Sequence, residues 1–97
     1  MRYTIVFAPE ALEDVQALKT YLWSQVRDAI EEHLRHTPTQ TSASRIKRLR
    51  GVSRPQFRLR VGDLRVFYDV TAGTVEVLAV VLKGEAVGWM KRMEGSQ

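Results

Sequence analysis

The sequence predicts an α+β fold with the order β-α-α-β-β-β, and three patterns carry that expectation. The run Tyr3-Thr4-Ile5-Val6-Phe7 is β-branched and aromatic, as a strand requires. Apolar residues then recur at helical spacing as far as Leu34. From Gln56 the spacing changes to strict alternation, interrupted by glycine turns. Strands joined by tight turns form an antiparallel meander, and helices that precede such a meander pack on one of its faces.

In chain order, Pro9 suits the first turn of a helix, and Glu10, Glu13 and Asp14 favour a helix N-terminus. Ala11, Leu12, Val15, Leu18 and Leu22 extend that helix over about 9–22. Ser24 is placed to cap a second helix whose apolar positions are Val26, Ala29, Ile30 and Leu34. Glu31 and Arg35 stand at i,i+4, and Thr37-Pro38 ends the helix. Residues 37–44 read as a polar loop. Residues 46–51 read as a short edge strand or an extended segment, with a turn over 51–55. The strand 56–61 alternates Phe57, Leu59 and Val61 with Gln56, Arg58 and Arg60. Gly62-Asp63 is a two-residue hairpin turn. Leu64, Val66, Tyr68 and Val70 share one face of the next strand. Thr71-Ala72-Gly73 turns again, and 74–82 is a near-continuous apolar run, as in a central strand covered on both faces. Gly84 breaks it. The remainder holds at most one helical turn, around Trp89, and residues from about 90 to 97 are expected to be a flexible tail.

The 97 residues are expected to form one domain, 1–97, with 44% hydrophobic residues for a small core. The absence of cysteine excludes disulfides and thiolate metal sites, and fits a reducing cytoplasm. No run approaches the ~18 apolar residues of a membrane span. The first residues lack the apolar core of a signal peptide. Neither a metal nor a cofactor is expected, and no membrane partner.

The net charge of +4 conceals an asymmetry. Residues 1–44 carry −2, residues 71–97 carry 0, and residues 45–70 carry +6, from seven arginines and Lys47 against Asp63 and Asp69. Arginine presents a planar fork that matches phosphate and stays charged at any physiological pH. Pairing the hairpin through its two-residue turn sets Val61 opposite Leu64, Leu59 opposite Val66 and Phe57 opposite Tyr68. Arg60 then lies beside Arg65 and Arg58 beside Phe67 on the other face. Like charges directly opposite destabilise a sheet, so this arrangement points to an anion site rather than to a solvated surface. If Val70 pairs with Thr74, Arg65 faces Ala79 and Lys83 joins the same face. Arg48 or Arg50 would flank it. Clustered cations suit a nucleic-acid backbone. Phe67 is open to two readings, packing on the sheet or stacking on a base. So is Trp89, as a lid over the sheet end or a base stacker.

These residues resemble the RelE/ParE superfamily of toxin–antitoxin toxins, and within it the RelE-type messenger-RNA interferases. The likeness runs from Tyr3-Thr4-Ile5-Val6-Phe7-Ala8-Pro9-Glu10-Ala11-Leu12 through Lys47-Arg48-Leu49-Arg50-Gly51 to Phe57-Arg58-Leu59-Arg60-Val61-Gly62-Asp63-Leu64-Arg65-Val66-Phe67-Tyr68. It implies a toxin that enters the ribosomal A site and cuts messenger RNA by attack of a ribose 2′-OH on the adjacent phosphate. The resemblance assigns the catalytic positions to Arg58, Arg60, Arg65 and Lys83. It assigns RNA or phosphate contacts to Lys47, Arg48, Arg50, Phe67 and Trp89. It also implies a cognate antitoxin, besides the ribosome and messenger RNA, as partners. The chain departs from the family at the C-terminal segment. RelE-type enzymes commonly place a Tyr there and other branches a His, whereas the matching spacing reaches Trp89 or Val87. That departure leaves two alternatives: a ParE-type inhibitor of DNA gyrase, which is not an enzyme, and a toxin that binds RNA with weakened catalysis.

Overall fold

A computed structural model describes residues 1–95 and places the strands in one mixed sheet. The strands are β1 (Thr4–Phe7), β2 (Ile46–Arg48), β3 (Phe57–Val61), β4 (Leu64–Thr71) and β5 (Thr74–Leu82), in the spatial order β1-β5-β4-β3-β2. The helices are α1 (Pro9–Gln16), α2 (Thr20–His33) and α3 (Ala86–Gly95), the last preceded by a single 3₁₀ turn, Lys83–Glu85. The fold is therefore α+β, as expected. Residues 46–48 form an edge strand, and β1 pairs with β5 in parallel.

The β3–β4 hairpin has the register that its turn dictates. Val61 pairs with Leu64, Leu59 with Val66, Phe57 with Tyr68, Arg60 with Arg65 and Arg58 with Phe67. Gly62 sits at φ 56°, which the two-residue turn needs and which other residues adopt only with strain. One sheet face then buries Phe57, Leu59, Val61, Leu64, Val66 and Tyr68 against Ala11 and Val15 of α1 and Val26 and Ile30 of α2. Phe57 and Tyr68 stack with centroids 5.5 Å apart. The Tyr68 hydroxyl donates to the Pro38 carbonyl at 2.7 Å, and burial pushes this phenol well above its ordinary range.

The helices break earlier than the spacing suggests. Helix α1 ends near Ala17, where the Leu18 N–H bends back to the Val15 carbonyl, and α2 starts after an extended Lys19. Leu18 and Leu22 both pack on the core from their separate elements, so apolar spacing alone did not mark the break. With α2 starting at Thr20, Trp23 turns inward and meets Phe7 edge-on, centroids 6.0 Å apart. Arg35 pairs with Glu31 and also donates to the Tyr3 carbonyl at 3.0 Å, tying the end of α2 to β1.

The second hairpin departs from its expected pairing. Its loop has two residues, Ala72 and Gly73, so Thr71 pairs with Thr74, and Gly73 is at φ 75°. Leu78 is then an extra residue, because Tyr68 pairs with Val77 but Phe67 with Ala79. Arg65 consequently faces Val81 instead of Ala79. The shorter loop and the bulge each change the parity by one, and together they leave Lys83 in phase with Arg65. Its N–H donates to the Asp63 carbonyl at 2.7 Å.

The C-terminal segment also differs. It is a ten-residue helix with Trp89 buried, where sequence reading expects at most one turn. Ala86, Trp89, Met90 and Met93 form its apolar stripe, and it packs on the sheet face opposite α1 and α2. Residues 90–95 of the expected flexible tail lie in this helix, and 96–97 lie outside the described residues. No helix among the described residues is long and apolar enough to cross a membrane.

Strand β1 ends at its pairing with Val77, so the Val80 N–H lacks a strand neighbour on that side. The Asp14 carboxylate accepts it at 2.9 Å. Burial raises the Asp14 pKa, the Val80 hydrogen bond opposes this, and Glu10, Glu13 and Glu85 raise it further. A folded carboxyl that holds its proton more tightly than the unfolded one contributes stability below the unfolded value of 3.8. That contribution is lost as pH rises through the folded value. Asp14→Asn keeps an acceptor for Val80 without the charge. Urea denaturation is expected to show the variant at least as stable as the parent at pH 7, with any advantage shrinking toward pH 3.5. An advantage that grows in acid would contradict this account.

Candidate functional site

The sheet face opposite α1 and α2 has three zones, set by register. Its middle is apolar and lies under α3. There Phe67 and Trp89 stack at 4.7 Å with their planes 13° apart, among Leu78, Ala79 and Leu49. At the end remote from the Gly62 turn, Asp69 accepts from Arg54 Nε at 2.7 Å and from the Gln56 N–H at 2.8 Å, while Arg54 also reaches Glu76 at 3.0 Å. Arg54 is thus neutralised; Asp69 is already counted in the +6 of residues 45–70, and Glu76, from outside that segment, offsets one charge more.

At the turn end the cations gather. Arg60 is exposed, Arg58 is half-buried and Arg65 is only 7% exposed. Arg65 Nη1 donates to the carbonyls of Gly62 at 2.9 Å and Leu64 at 2.8 Å. Among the described residues no carboxylate forms an ion pair with Arg58, Arg60 or Arg65. Burial lowers the Arg65 pKa, Arg58 and Arg60 lower it further, and Asp63 opposes them. The Nε of Arg58 is shielded from solvent and has no acceptor. A shielded cation without an anion is costly, and an arriving phosphate oxygen would supply what these groups lack.

Lys47 pairs with Arg58 across β2–β3 and so belongs to this face. Arg45, which sequence reading did not single out, also belongs here. Its carbonyl accepts from the Arg60 N–H at 2.9 Å and its Nη1 donates to the Arg60 carbonyl at 3.4 Å. The i,i+2 spacing of Arg45 and Lys47 on an edge strand was the signal that marks it. Lys83, exposed in the 3₁₀ turn, follows in ladder phase, and Arg50 is exposed just after β2.

Three expectations need correction. Arg48 pairs with Phe57, which places it on the opposite face with its guanidinium 5.0 Å from the Phe57 ring centre. It does not flank Arg58. Phe67 and Trp89 are 1% and 3% exposed and stack on each other, so neither presents a ring to a base. Ala79, expected to open space above Arg65, lies opposite Phe67 and belongs to the packed cluster with Trp89.

The described residues include no cluster of His, Asp and Glu that could hold a metal ion. Strands β3, β4 and β5 and helix α3 contain no His, and Tyr68 is buried on the other face. The arrangement can hold a phosphate and neutralise charge developing on it. Of the four positions Arg58, Arg60, Arg65 and Lys83, only Lys83 has a side chain able to give up a proton, because a guanidinium does not.

Truncating Trp89 separates packing from base stacking. Trp89→Ala is expected to destabilise the fold by about 3 kcal/mol, as for other buried aromatics, and Trp89→Phe by much less. Thermal denaturation measures both. An unchanged melting temperature for the alanine variant would return Trp89 to the ligand-binding residues.

Comparison with known proteins agrees with this architecture. The chain matches, over residues 5–86, the sequence profile of the family described as "ParE toxin of type II toxin-antitoxin system, parDE". No curated protein matches its sequence. Among solved structures, the toxin–antitoxin complex RelBE2 from Mycobacterium tuberculosis is similar at 25% identity and TM-score 0.72, over 84% of this chain and 99% of that one. A mutant of the Escherichia coli toxin RelE in the free state is similar at 25% identity and TM-score 0.63, over 82% of each chain. The YoeB dimer from Staphylococcus aureus shares the fold at 18% identity and TM-score 0.62, over 81% and 94%. By its profile match and its fold, the chain belongs to the RelE/ParE superfamily, the toxins of type II toxin–antitoxin systems.

Proposed function

We propose that this toxin is a ribosome-dependent endoribonuclease that cuts messenger RNA in the A site. The observation that supports this most is Arg65, a buried guanidinium without a carboxylate, set beside Arg58 and Arg60. In the reaction a ribose 2′-oxygen forms a bond to the adjacent phosphorus and the bond from phosphorus to the 5′-oxygen breaks. The products are a 2′,3′-cyclic phosphate and a free 5′-hydroxyl. Negative charge grows on the phosphoryl oxygens as the new bond forms. Arg58, Arg60 and Arg65 are positioned to stabilise that charge more than the charge of the ground state. Lys83 is assigned the proton-transfer role in this reading. Lys47 and Arg50 hold flanking phosphates.

The partner is a cognate antitoxin. Several of the matched structures are toxin–antitoxin complexes, and acidic side chains of such a partner would satisfy the cations of the arginine face. A ribosomal target places the toxin in the cytoplasm.

A second reading is favoured by two observations, the ParE profile match and the tryptophan at the C-terminal position, where neither Tyr nor His stands to move a proton. In that reading the chain inhibits DNA gyrase without catalysis. A reconstituted translation reaction with primer extension separates the two. The purified chain is expected to cut messenger RNA only when ribosomes are present. Arg60→Glu, at an exposed position, is expected to reduce cutting at least a hundredfold with the fold intact. Intact messenger RNA together with loss of gyrase supercoiling activity would establish the second reading instead.

A further inference from the structure

The face opposite the arginine cluster carries a cation that the proposed reaction does not use. Arg48 lies over the Phe57 ring, at the rim of an open pocket of about 370 Å³ lined by Thr39, Thr41, Arg48, Gln56, Phe57 and Val70. No lining residue is acidic, and Arg48 has no ion pair among the described residues. The Phe57–Tyr68 stack beneath it is buried, so the guanidinium rests on a rigid base with its charge turned to solvent. The exposed Thr39 and Thr41 bring hydroxyl donors to the same rim.

The position of this pocket matters as much as its lining. Strand β2 is the last strand of the sheet, so both sheet faces meet at its open edge. Lys47 stands on the arginine face and Arg48 on the other, with Arg45 and Arg50 exposed at the two ends. Between Glu32 and Asp63 the chain has 30 residues without an acidic side chain. The β2 strand and its flanks are therefore free of acidic side chains of their own, and the nearby Asp69 is held by Arg54 and the Gln56 N–H.

We propose that the Thr39–Thr41–Arg48 pocket is a second phosphate site, which holds the backbone of a single-stranded RNA after it has bent around the β2 edge. The proposal rests on RNA binding at the arginine face and extends it. Cations on alternate faces of an edge strand match a flexible chain with one charge on every unit. The Thr39 and Thr41 hydroxyls beside Arg48 add neutral donors to its charge, a set that suits the several oxygens of a phosphate.

The test uses labelled 2′-O-methyl oligouridylates of three and twelve nucleotides, which cannot be cut because the attacking hydroxyl is blocked. Binding to the purified chain is followed by fluorescence anisotropy at several salt concentrations. Arg48→Ala is expected to weaken the twelve-mer about tenfold and to lower the salt slope by about 0.7, the value for one phosphate contact on a single strand. The three-mer should be unaffected, and Arg48→Lys should stay close to the parent. The exposed pair Thr39→Val with Thr41→Val leaves the Arg48–Phe57 contact in place and should weaken the twelve-mer in the same direction. Unchanged twelve-mer affinity and slope in Arg48→Ala, with both lost in Arg60→Glu, would reject the edge site and leave the arginine face standing. Affinity unchanged in Arg60→Glu as well would reject RNA binding at that face, and this site with it. Loss of oligoglutamate binding by Arg48→Ala, with the twelve-mer unaffected, would assign the pocket to a protein partner and overturn the proposal.

Discussion

The pairing of β3 with β4 through Gly62 and Asp63 is the constraint on which the rest of the molecule depends. A slip of β3 by one residue would move Phe57, Leu59 and Val61 out of the core and the guanidinium groups of Arg58 and Arg60 into it. The energies at stake are unequal. Burying one large apolar side chain contributes about 1.5–3 kcal/mol, and this hairpin buries six on its core face. Two like charges opposed across a sheet cost roughly 0.2–1 kcal/mol. The core therefore sets the register, and Arg60 and Arg65 must tolerate each other on the far side.

Strand β5 divides the sheet into two regimes. Up to Val77 it has β1 as a parallel neighbour, and beyond the Leu78 bulge it has none. Side chains take over that second half. Asp14 reaches across from α1 to the Val80 N–H, and α3 lays Trp89 over Phe67 on the opposite face. The bulge links these features, because the extra residue adds Leu78 to the cluster under α3 while Val75, Val77 and Val80 stay in the main core. The aromatic pair thus anchors a helix beside the cations and takes no part in their charge.

Legibility in the sequence tracked the distance over which each feature is determined. The first hairpin could be read in full because alternation and a two-residue turn are local. The arginine cluster followed from it. The parity of Lys83 was right through two compensating departures, a shorter loop and a bulge, neither of which alternation can reveal in a strand buried on both faces. Arg48 was misplaced because its face depends on pairing with Phe57, nine residues away across an irregular turn. Helix α3 carried its signal in Ala86, Trp89, Met90 and Met93. That stripe became decisive only once Phe67 and Ala79 offered it a surface.

The same imbalance connects stability to function. A sheet shaped for stability alone would place a carboxylate near Arg65, as it does near Arg54. Here the guanidinium is held by two carbonyl oxygens that orient it without neutralising it. Its neighbours Arg58 and Arg60 add repulsion that persists until an anion arrives. Any anion that binds only the folded arrangement relieves that repulsion and stabilises the fold by mass action. On the proposed reading, an antitoxin carboxylate and an RNA phosphate relieve the same repulsion at the same atoms, so one excludes the other. Inhibition of the toxin and its attack on RNA then follow from a single physical fact, the uncompensated charge on one end of one sheet face.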